Sequence, residues 1–254
     1  MTVTHEIPHN SPAGFRIREA TQDDAEDLTR LWYSSFNPSH AFWDVATPDD
    51  TVTRRWWNDT WAVGFQAGPD VLRTFVVEDL ARDNRLVALA RWNVPQEEGR
   101  QDIPLPDFPA EWDAEVTETL WGGMARNRRE VMGQRPHWSE FVASLLLYID
   151  GSGVFSYVRP LTTSSIKVLE FLGVDQGYQG KGLGFALVDW GCRQADKAGL
   201  ETYLDATIKG LPFYKKCFGF EERKPLIMPT RHDTYGNYEL VASVRLPHTK
   251  PKVG

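Results

Sequence analysis

The chain of 254 residues is 41% hydrophobic and 25% charged, which is typical of a folded protein with a core and argues against a disordered one. Its formal net charge of -7 at pH 7 argues against a nucleic-acid partner, because proteins that hold the phosphate backbone carry a basic face. The length allows one or two domains, and we expect a single domain over residues 15–246 between flexible tails at 1–14 and 247–254.

The sequence offers no signal for export, membrane insertion or metal binding. The first residues, MTVTHEIPHNSPAGF, lack an apolar segment, and the longest apolar run, FVASLLLYI at 141–149, is shorter than the ~18 residues of a spanning helix. The two cysteines, Cys192 and Cys217, form no C-x-x-C pair, and the six histidines show no metal-ligand spacing. We therefore expect a cytoplasmic protein without a membrane partner and without a metal.

The N-terminal elements are predicted to be a strand and two helices. FRIREA at 15–20 alternates apolar and charged residues, as a half-buried strand does. Thr21 caps a helix that ends before Asn37-Pro38, and a second helix is predicted over 47–65. The tryptophans of RRWWNDTW in this second helix are interpreted as core residues or, alternatively, as walls of a substrate cleft.

Two strands and an irregular segment are predicted in the middle of the chain. LRTFVVED at 72–79 and LVALARWNV at 86–94 are separated by a polar turn and should form an antiparallel pair. Prolines at 95, 104, 106 and 109 exclude regular structure there and indicate a surface loop. An amphipathic helix is predicted at about 111–133, despite Gly122-Gly123.

Strands and helices alternate in the C-terminal third. An apolar strand ending at Val174 leads through a glycine-rich loop into a helix over 180–198, which Gly199 ends. A strand at 200–206, a short helix at Leu211–Phe218 and a strand at 238–246 follow. Strands that precede and follow helices indicate a mixed α/β sheet.

The loop carries glycines at 180, 182 and 184, which let backbone N–H groups point into one concavity at the positive end of a helix. This pattern predicts a site for a phosphate or pyrophosphate. A dinucleotide fingerprint would need glycine where Phe185 stands, and a Walker A loop would need serine or threonine where Gly182 stands. The loop therefore belongs to neither class.

The segment Gln179-Gly180-x-Gly182-x-Gly184, together with the downstream GLPFYKKCFGF, resembles the cofactor motifs of the GNAT superfamily of N-acetyltransferases. The predicted element order over 15–94 and 167–246 resembles that family as well, and RRWWNDTW and LEFLGVDQGYQGKGLG are most similar to uncharacterised fungal members. The resemblance implies an α/β fold with a mixed, mostly antiparallel sheet flanked by helices, and a long insertion at about 94–166 between the third and fourth strands.

The same resemblance implies acetyl-CoA as the cofactor and a set of residues that bind it. A backbone N–H of the motif strand would polarise the thioester carbonyl, the loop would bind the pyrophosphate, and the next strand would border the pantetheine arm. In this sequence these positions are Leu172, Gly173 and Val174 on the strand, Gln179, Gly180, Lys181, Gly182, Leu183 and Gly184 in the loop, and Asp205, Ala206 and Thr207 beyond it. Lys209 is a further candidate for phosphate contact.

Two side chains are candidates for the chemistry that the resemblance implies, which is direct attack of a primary amine on acetyl-CoA in a ternary complex. Glu170, on the motif strand, is the candidate base, although a strand glutamate often faces solvent or pairs with an arginine. Tyr214 resembles the tyrosine that protonates the departing thiolate, but Gly219 follows it after five residues instead of the usual four. The alternative for Tyr214 is a core aromatic.

Other functions remain open at this stage. The chain is alternatively a degenerate acyl-CoA-binding or regulatory module, or a binder of nucleotide phosphates with an unrelated fold, and the sequence identifies neither the amine nor the oligomeric state. The predicted helix at 111–133 is a candidate lid over the acceptor side, and His137 and Trp138 would contact substrate or simply pack. Residues 139–166 form either a hairpin around Asp150-Gly151 or a translated intron.

Overall fold

A computed structural model of the chain describes residues 6–8, 11–94, 105–132 and 167–248. These residues form a seven-stranded sheet with strand order β1-β2-β3-β4-β5-β7-β6. Of the described pairs, β4 with β5 is parallel and the others are antiparallel. The strands are β1 Phe15–Glu19, β2 Leu72–Asp79, β3 Arg85–Asn93, β4 Lys167–Val174, β5 Thr202–Thr207, β6 Glu221–Ile227 and β7 Glu239–Arg245.

Helices flank the sheet, and none within the described ranges combines the length and apolar character needed to cross a membrane. A π-helical turn, Glu118–Gly122, joins the fourth and fifth helices. The helices are α1 Ala25–Phe36, α2 Phe42–Ala46, α3 Thr51–Ala67, α4 Ala114–Thr117, α5 Gly123–Met132, α6 Leu183–Ala198 and α7 Leu211–Phe218.

Aspartate caps fix where two of these helices begin. The Thr53 N–H donates to Asp50 Oδ1 at 2.8 Å, and the Val116 N–H donates to Asp113 Oδ1 at 3.0 Å. A cap satisfies a backbone donor that has no partner inside the helix, so the helix starts directly after it. The helices predicted from residues 47 and 111 therefore begin at Thr51 and Ala114.

The sheet separates two apolar cores, because side chains alternate between its faces along each strand. Val76, Leu89 and Phe171 face the core that holds α1 and α3, and Phe75, Val77 and Ala88 face the core that holds α6. The α3 tryptophans, Trp56, Trp57 and Trp61, are at most 4% exposed and belong to the first core.

The position of the functional site follows from two irregularities of β4. β4 pairs with β5 at Lys167↔Thr202 and Val168↔Tyr203, after which the two strands separate. On the other side of β4, Arg91 is opposite Phe171 whereas Trp92 is opposite Leu169, which leaves Glu170 as the extra residue of a β-bulge. Bulges redirect side chains and are frequent beside active sites.

The expected fold is confirmed: a mixed, mostly antiparallel sheet is flanked by helices, and a long insertion separates the third and fourth strands. The edge strand β6 and the short helix α2 were not predicted. Residues 105–132 of the insertion are described, whereas His137, Trp138 and the segment 139–166 lie outside the described residues.

Candidate active site

A cavity of about 580 Å³ lies where β4 and β5 separate. Residues 169–174 of β4 and the loop that follows them form one wall, and β5 contributes Leu204, Asp205 and Thr207. The remaining walls come from α1, α2, the insertion, α7 and Leu240 of β7. Openings between diverging strands and their flanking helices are common ligand sites.

The glycine loop is held open at the cavity by its backbone. Gly180 and Gly182 have φ values of +78° and +80°, a left-handed conformation that disfavours other residues. No described protein atom lies within 4 Å of the position of a Cβ at Gly180, and the nearest atom at Gly182 is Pro12 Cγ at 4.0 Å. The Gln179 side chain donates to the Val174 carbonyl oxygen at 3.3 Å and closes the loop.

Helix α6 begins at Leu183, three residues later than predicted, because the left-handed glycines keep residues 180–182 outside the helix. Its first backbone bond runs from the Ala186 N–H to the Gly182 carbonyl oxygen at 3.0 Å. The N–H groups of Leu183 and Gly184 therefore have no acceptor within the helix. Free donors at the positive end of a helix are the groups that an anion site requires, and binding of an anion here stays a prediction.

The two candidate phosphate lysines have different partners. Lys209 Nζ donates to the carbonyl oxygen of Ser39 at 2.8 Å, so its ammonium already has an acceptor across the cavity. Lys181 Nζ lies 5.1 Å from the ring centroid of Tyr178, and the Tyr178 hydroxyl donates to Asp79 Oδ2 at 2.8 Å. Lys209 lines the active-site cavity, whereas Lys181 lines a separate depression together with Asp79, Arg82 and Arg85.

The backbone of β4 offers donors to the cavity. The Asp175 N–H donates to the Val87 carbonyl oxygen of β3 at 3.0 Å. Because donors alternate in direction along an antiparallel strand, this bond turns the Gly173 N–H toward β3 and the N–H groups of Leu172 and Val174 toward the gap. At Gly173 a Cβ would lie 3.0 Å from Ser35 Oγ, so glycine lets α1 pack against the strand.

Glu170 lies in the cavity wall and has two partners there. Its Oε1 accepts a hydrogen bond from Asn93 Nδ2 at 2.7 Å, and its Oε2 lies 3.4 Å from Arg91 Nε. The side chains of Arg91 and Glu170 are 4% and 8% exposed. Glu170 therefore lines the cavity and also pairs with an arginine, as the alternative from sequence stated, while its role as the base stays a prediction.

Tyr214 on α7 also lines the cavity. Burial raises the pKa of its hydroxyl above the ordinary tyrosine value, so the group stays protonated at neutral pH. Its ring packs edge-on against Phe220 at a centroid distance of 5.8 Å. Gly219 ends α7 in the left-handed conformation, and the five-residue spacing still leaves Tyr214 in the cavity wall.

Along β5 the three predicted residues have different surroundings. Asp205 and Thr207 line the cavity, whereas the Ala206 side chain belongs to the core on the α6 side. The Tyr203 hydroxyl donates to Asp205 Oδ1 at 3.0 Å. Burial raises the pKa of Asp205 to about 6, and the nearby Arg128 guanidinium and the Tyr203 hydrogen bond limit the rise.

Several cavity residues were not identified from sequence. The inserted helices contribute Leu120, Trp121, Met124 and Arg128, and α1 and α2 contribute Trp32 and Trp43. Only the prediction of a lid at 111–133 pointed toward any of them. Apart from the Arg128 guanidinium, the side chains that these helices contribute to the wall are apolar or aromatic. In the described part of the chain, no three His, Cys, Asp or Glu side chains are arranged to hold a metal ion.

Comparisons with known proteins place these features in context. A family model described as the acetyltransferase (GNAT) family matches residues 25–220, whereas no curated protein matches the sequence. Among solved structures, mosquito arylalkylamine N-acetyltransferase like 5b is 16% identical at a TM-score of 0.52, with 91% of this chain and 99% of that chain covered.

Two further solved structures have a similar fold. The polyamine N-acetyltransferase of Drosophila melanogaster, which forms N-acetylagmatine, is 13% identical at a TM-score of 0.54, covering 91% of this chain and 99% of its own. An agmatine N-acetyltransferase mutant is 13% identical at a TM-score of 0.55, covering 92% and 99%. At these identities the likeness concerns the fold.

Proposed function

We propose, from the premise that this chain belongs to the acetyltransferase (GNAT) family, that it transfers an acetyl group from acetyl-CoA to a primary amine by direct attack in a ternary complex. One observation carries the proposal. A single cavity brings together the left-handed glycine loop, the backbone donors of β4 and a wall with two carboxylates. Such a cavity provides an anion site for the donor and negative charge for an ammonium acceptor.

The residues present fit acetyl-CoA. The open backbone at Gly180 and Gly182 leaves room for a pyrophosphate where any larger residue would place a Cβ, and Gln179, Lys181, Leu183 and Gly184 complete this loop. The opening between β4 and β5 leaves space for an extended arm beside Asp205, Ala206 and Thr207. When bound, acetyl-CoA supplies the activated thioester whose carbonyl carbon the amine attacks.

The chain's own groups then serve the attack and the departure of the thiolate. The N–H groups of Leu172 and Val174, which face the gap beside Gly173, are placed to donate to the acyl oxygen and stabilise the charge that develops there. Tyr214 lines the cavity, and its hydroxyl is protonated at pH 7, as a tyrosine with an ordinary pKa already is, so it has a proton to donate to sulfur. Glu170 contributes negative charge at the bulge, close to the attacking amine.

The aromatic and apolar wall favours an amine with an apolar body. Trp32, Trp43, Trp121 and Met124 border the cavity, and such side chains bind an apolar group while Glu170 and Asp205 attract the ammonium. The solved structures named for arylalkylamine, polyamine and agmatine acetyltransferases support an amine acceptor in this fold. The acceptor we propose is therefore a primary amine attached to a hydrophobic group.

Calorimetry followed by turnover tests this proposal. The purified protein is titrated with acetyl-CoA, with ATP and NAD as controls, and is then assayed for CoA release with a panel of amines. We expect selective binding of acetyl-CoA and amine-dependent release of CoA. Binding without release by any amine would instead support a non-catalytic acyl-CoA-binding module, and no binding by a folded sample would contradict both.

A further inference from the structure

Asp205 lies just beyond the point where β5 leaves β4. Tyr203, two residues earlier, pairs with Val168, and side chains two residues apart share one face of a strand. The Tyr203 hydroxyl accordingly donates to Asp205 Oδ1 at 3.0 Å. Among the described residues, Oδ2 of Asp205 accepts no hydrogen bond, and the residue lines the cavity. One carboxylate oxygen is therefore fixed, and the other is available to a ligand.

The insertion contributes the counter-charge for this carboxylate. Arg128 on α5 is 7% exposed, and its guanidinium carbon lies 5.3 Å from the ring centroid of Tyr203. Arg128 lines the same cavity as Asp205, and its positive charge lowers the pKa of the Asp205 carboxyl against the effect of burial. The other charged groups that line the cavity are Glu170 on β4 and Lys209 after β5, and Lys209 donates to Ser39.

The two cavity carboxylates are suited to different roles. Glu170 has its Oε1 bonded to Asn93, whereas its buried Oε2 accepts no hydrogen bond among the described residues and lies 3.4 Å from Arg91 Nε, so a buried guanidinium compensates its negative charge. Asp205 has one free oxygen, and burial raises its pKa to about 6. A carboxylate with this pKa is ionised at neutral pH and accepts a proton more readily than an unshifted carboxylate.

We propose that Asp205 accepts the proton of the bound substrate ammonium, and that Tyr203, whose ring packs against the Arg128 guanidinium, positions its carboxylate. This inference rests on the proposed function and moves the role of base from Glu170 to Asp205. One N–H bond of the ammonium breaks, an O–H bond forms on Asp205, and the electron pair stays on nitrogen, which then attacks. The proton passes from Asp205 to solvent after each turnover and is the single proton that the overall reaction releases. The second proton that the nitrogen loses on forming the amide balances the proton that the CoA thiolate takes from Tyr214.

The pH dependence of kcat/KM tests this assignment. A base must be ionised to act, so activity falls as the pH drops through its pKa, and the wild-type protein should lose activity below about pH 6. Asp205→Asn keeps an oxygen acceptor for Tyr203 and should lower kcat/KM by roughly 10²–10⁴-fold with loss of this acid limb. Asp189→Asn, on the outer part of α6 and paired with Arg193, is the matched control and should behave like wild type.

A second measurement does not depend on turnover. The carboxyl carbon resonance of Asp205 is identified by NMR as the one that is missing from the Asp205→Asn spectrum. Its chemical shift is then followed against pH in the protein without ligands. We expect it to titrate near pH 6 in wild type and at higher pH in Arg128→Met, because removal of the cation favours the neutral acid. Arg128→Lys, which keeps the charge, should shift it less. The acid limb of kcat/KM should move in the same direction.

The outcomes separate the inference from the function on which it rests. An acid limb that persists in Asp205→Asn, or that disappears in Glu170→Gln instead, overturns the assignment while acetyl transfer stands. A carboxyl resonance that titrates near pH 4, or that does not respond to Arg128→Met, overturns it as well. If the wild-type protein releases no CoA with any amine, the proposed function fails first and the assignment fails with it.

Discussion

At the scale of single residues, the cavity depends on charges that lie largely out of water. Arg91 and Glu170 face each other between β3 and β4 with almost no exposure, and burial lowers the pKa of the Arg91 guanidinium below its usual value. A buried ion pair adds little net stability, but a single member left alone is strongly unfavourable. The β-bulge at Glu170 is therefore supported by a pair whose members depend on each other.

The substitution Glu170→Gln should measure this dependence. It leaves a hydrogen-bond acceptor for Asn93 but removes the counter-charge of Arg91, and we expect a loss of about 3 kcal/mol in the free energy of unfolding, followed by urea titration. The double variant Arg91→Met/Glu170→Leu removes both charges and should recover much of the loss. Equal stability of Glu170→Gln and wild type would show that the pair is not held in a water-poor environment.

Tyr214→Phe separates catalysis from packing on α7. The change removes the hydroxyl while the ring keeps its contact with Phe220, so we expect a fall in kcat of roughly 10²-fold with unchanged acetyl-CoA affinity in calorimetry. Tyr33→Phe is the matched control, because its hydroxyl donates to the Pro48 carbonyl oxygen instead. An unaltered kcat in Tyr214→Phe would remove the hydroxyl from the mechanism.

At the scale of elements, both ends of α6 are marked by a left-handed glycine. Gly182 with φ +80° precedes the helix at the cavity, and Gly199 with φ +70° ends it on the far side. Any substitution costs roughly 1–2 kcal/mol of backbone strain at either position. The same change at both ends therefore separates the effect on the anion site from the effect on stability.

We expect Gly182→Asp to abolish acetyl-CoA binding in calorimetry, because it places a Cβ and a carboxylate where the pyrophosphate would lie. Gly199→Asp should retain binding. An acid is favourable at a helix N-terminus and unfavourable at a C-terminus, so the control should be the less stable of the two. Binding retained by Gly182→Asp would exclude the loop as the anion site.

The inserted helices should determine which amine the protein accepts, and they should not affect its affinity for acetyl-CoA. Met124 borders the cavity from α5, and Met124→Ala removes apolar contact that we expect to be worth roughly tenfold in the KM of a hydrophobic amine. Acetyl-CoA affinity should stay the same. Arg126→Ala, also on α5, removes an exposed pair with Glu118 of the π-helical turn and is the control. A change in acetyl-CoA affinity without a change in amine KM would contradict this division.

Helices and strands were predicted well where the sequence signals that define them are local. α7 and the pair β2 and β3 were predicted closely because their caps, turns and periodicity are local. The strand β6, EERKPLI, was missed because it is a charged edge strand with Pro225, a composition that edge strands tolerate and central strands do not. The late start of α6 depends on left-handed glycines, whose conformation the spacing alone does not give.

At the scale of the whole molecule, the active-site cavity unites residues that are far apart in sequence. The glycine loop and β4 follow one another in the chain and were predicted together. Arg128, Trp32 and Trp121 were not identified, because an insertion and α1 bring them to β4 and β5 only through tertiary packing. The partners of Glu170, Asn93 and Arg91, could not be predicted either, because they depend on the register between β3 and β4.

Acetyl transfer to an amine is tested most directly by mass-spectrometric detection of an N-acetylated amine, measured together with CoA release from acetyl-CoA. We expect a primary amine with an apolar body to yield equal amounts of the two products, and the rate to fall in Tyr214→Phe. CoA release without an acetylated amine, or no product from any amine despite tight acetyl-CoA binding, would contradict this expectation.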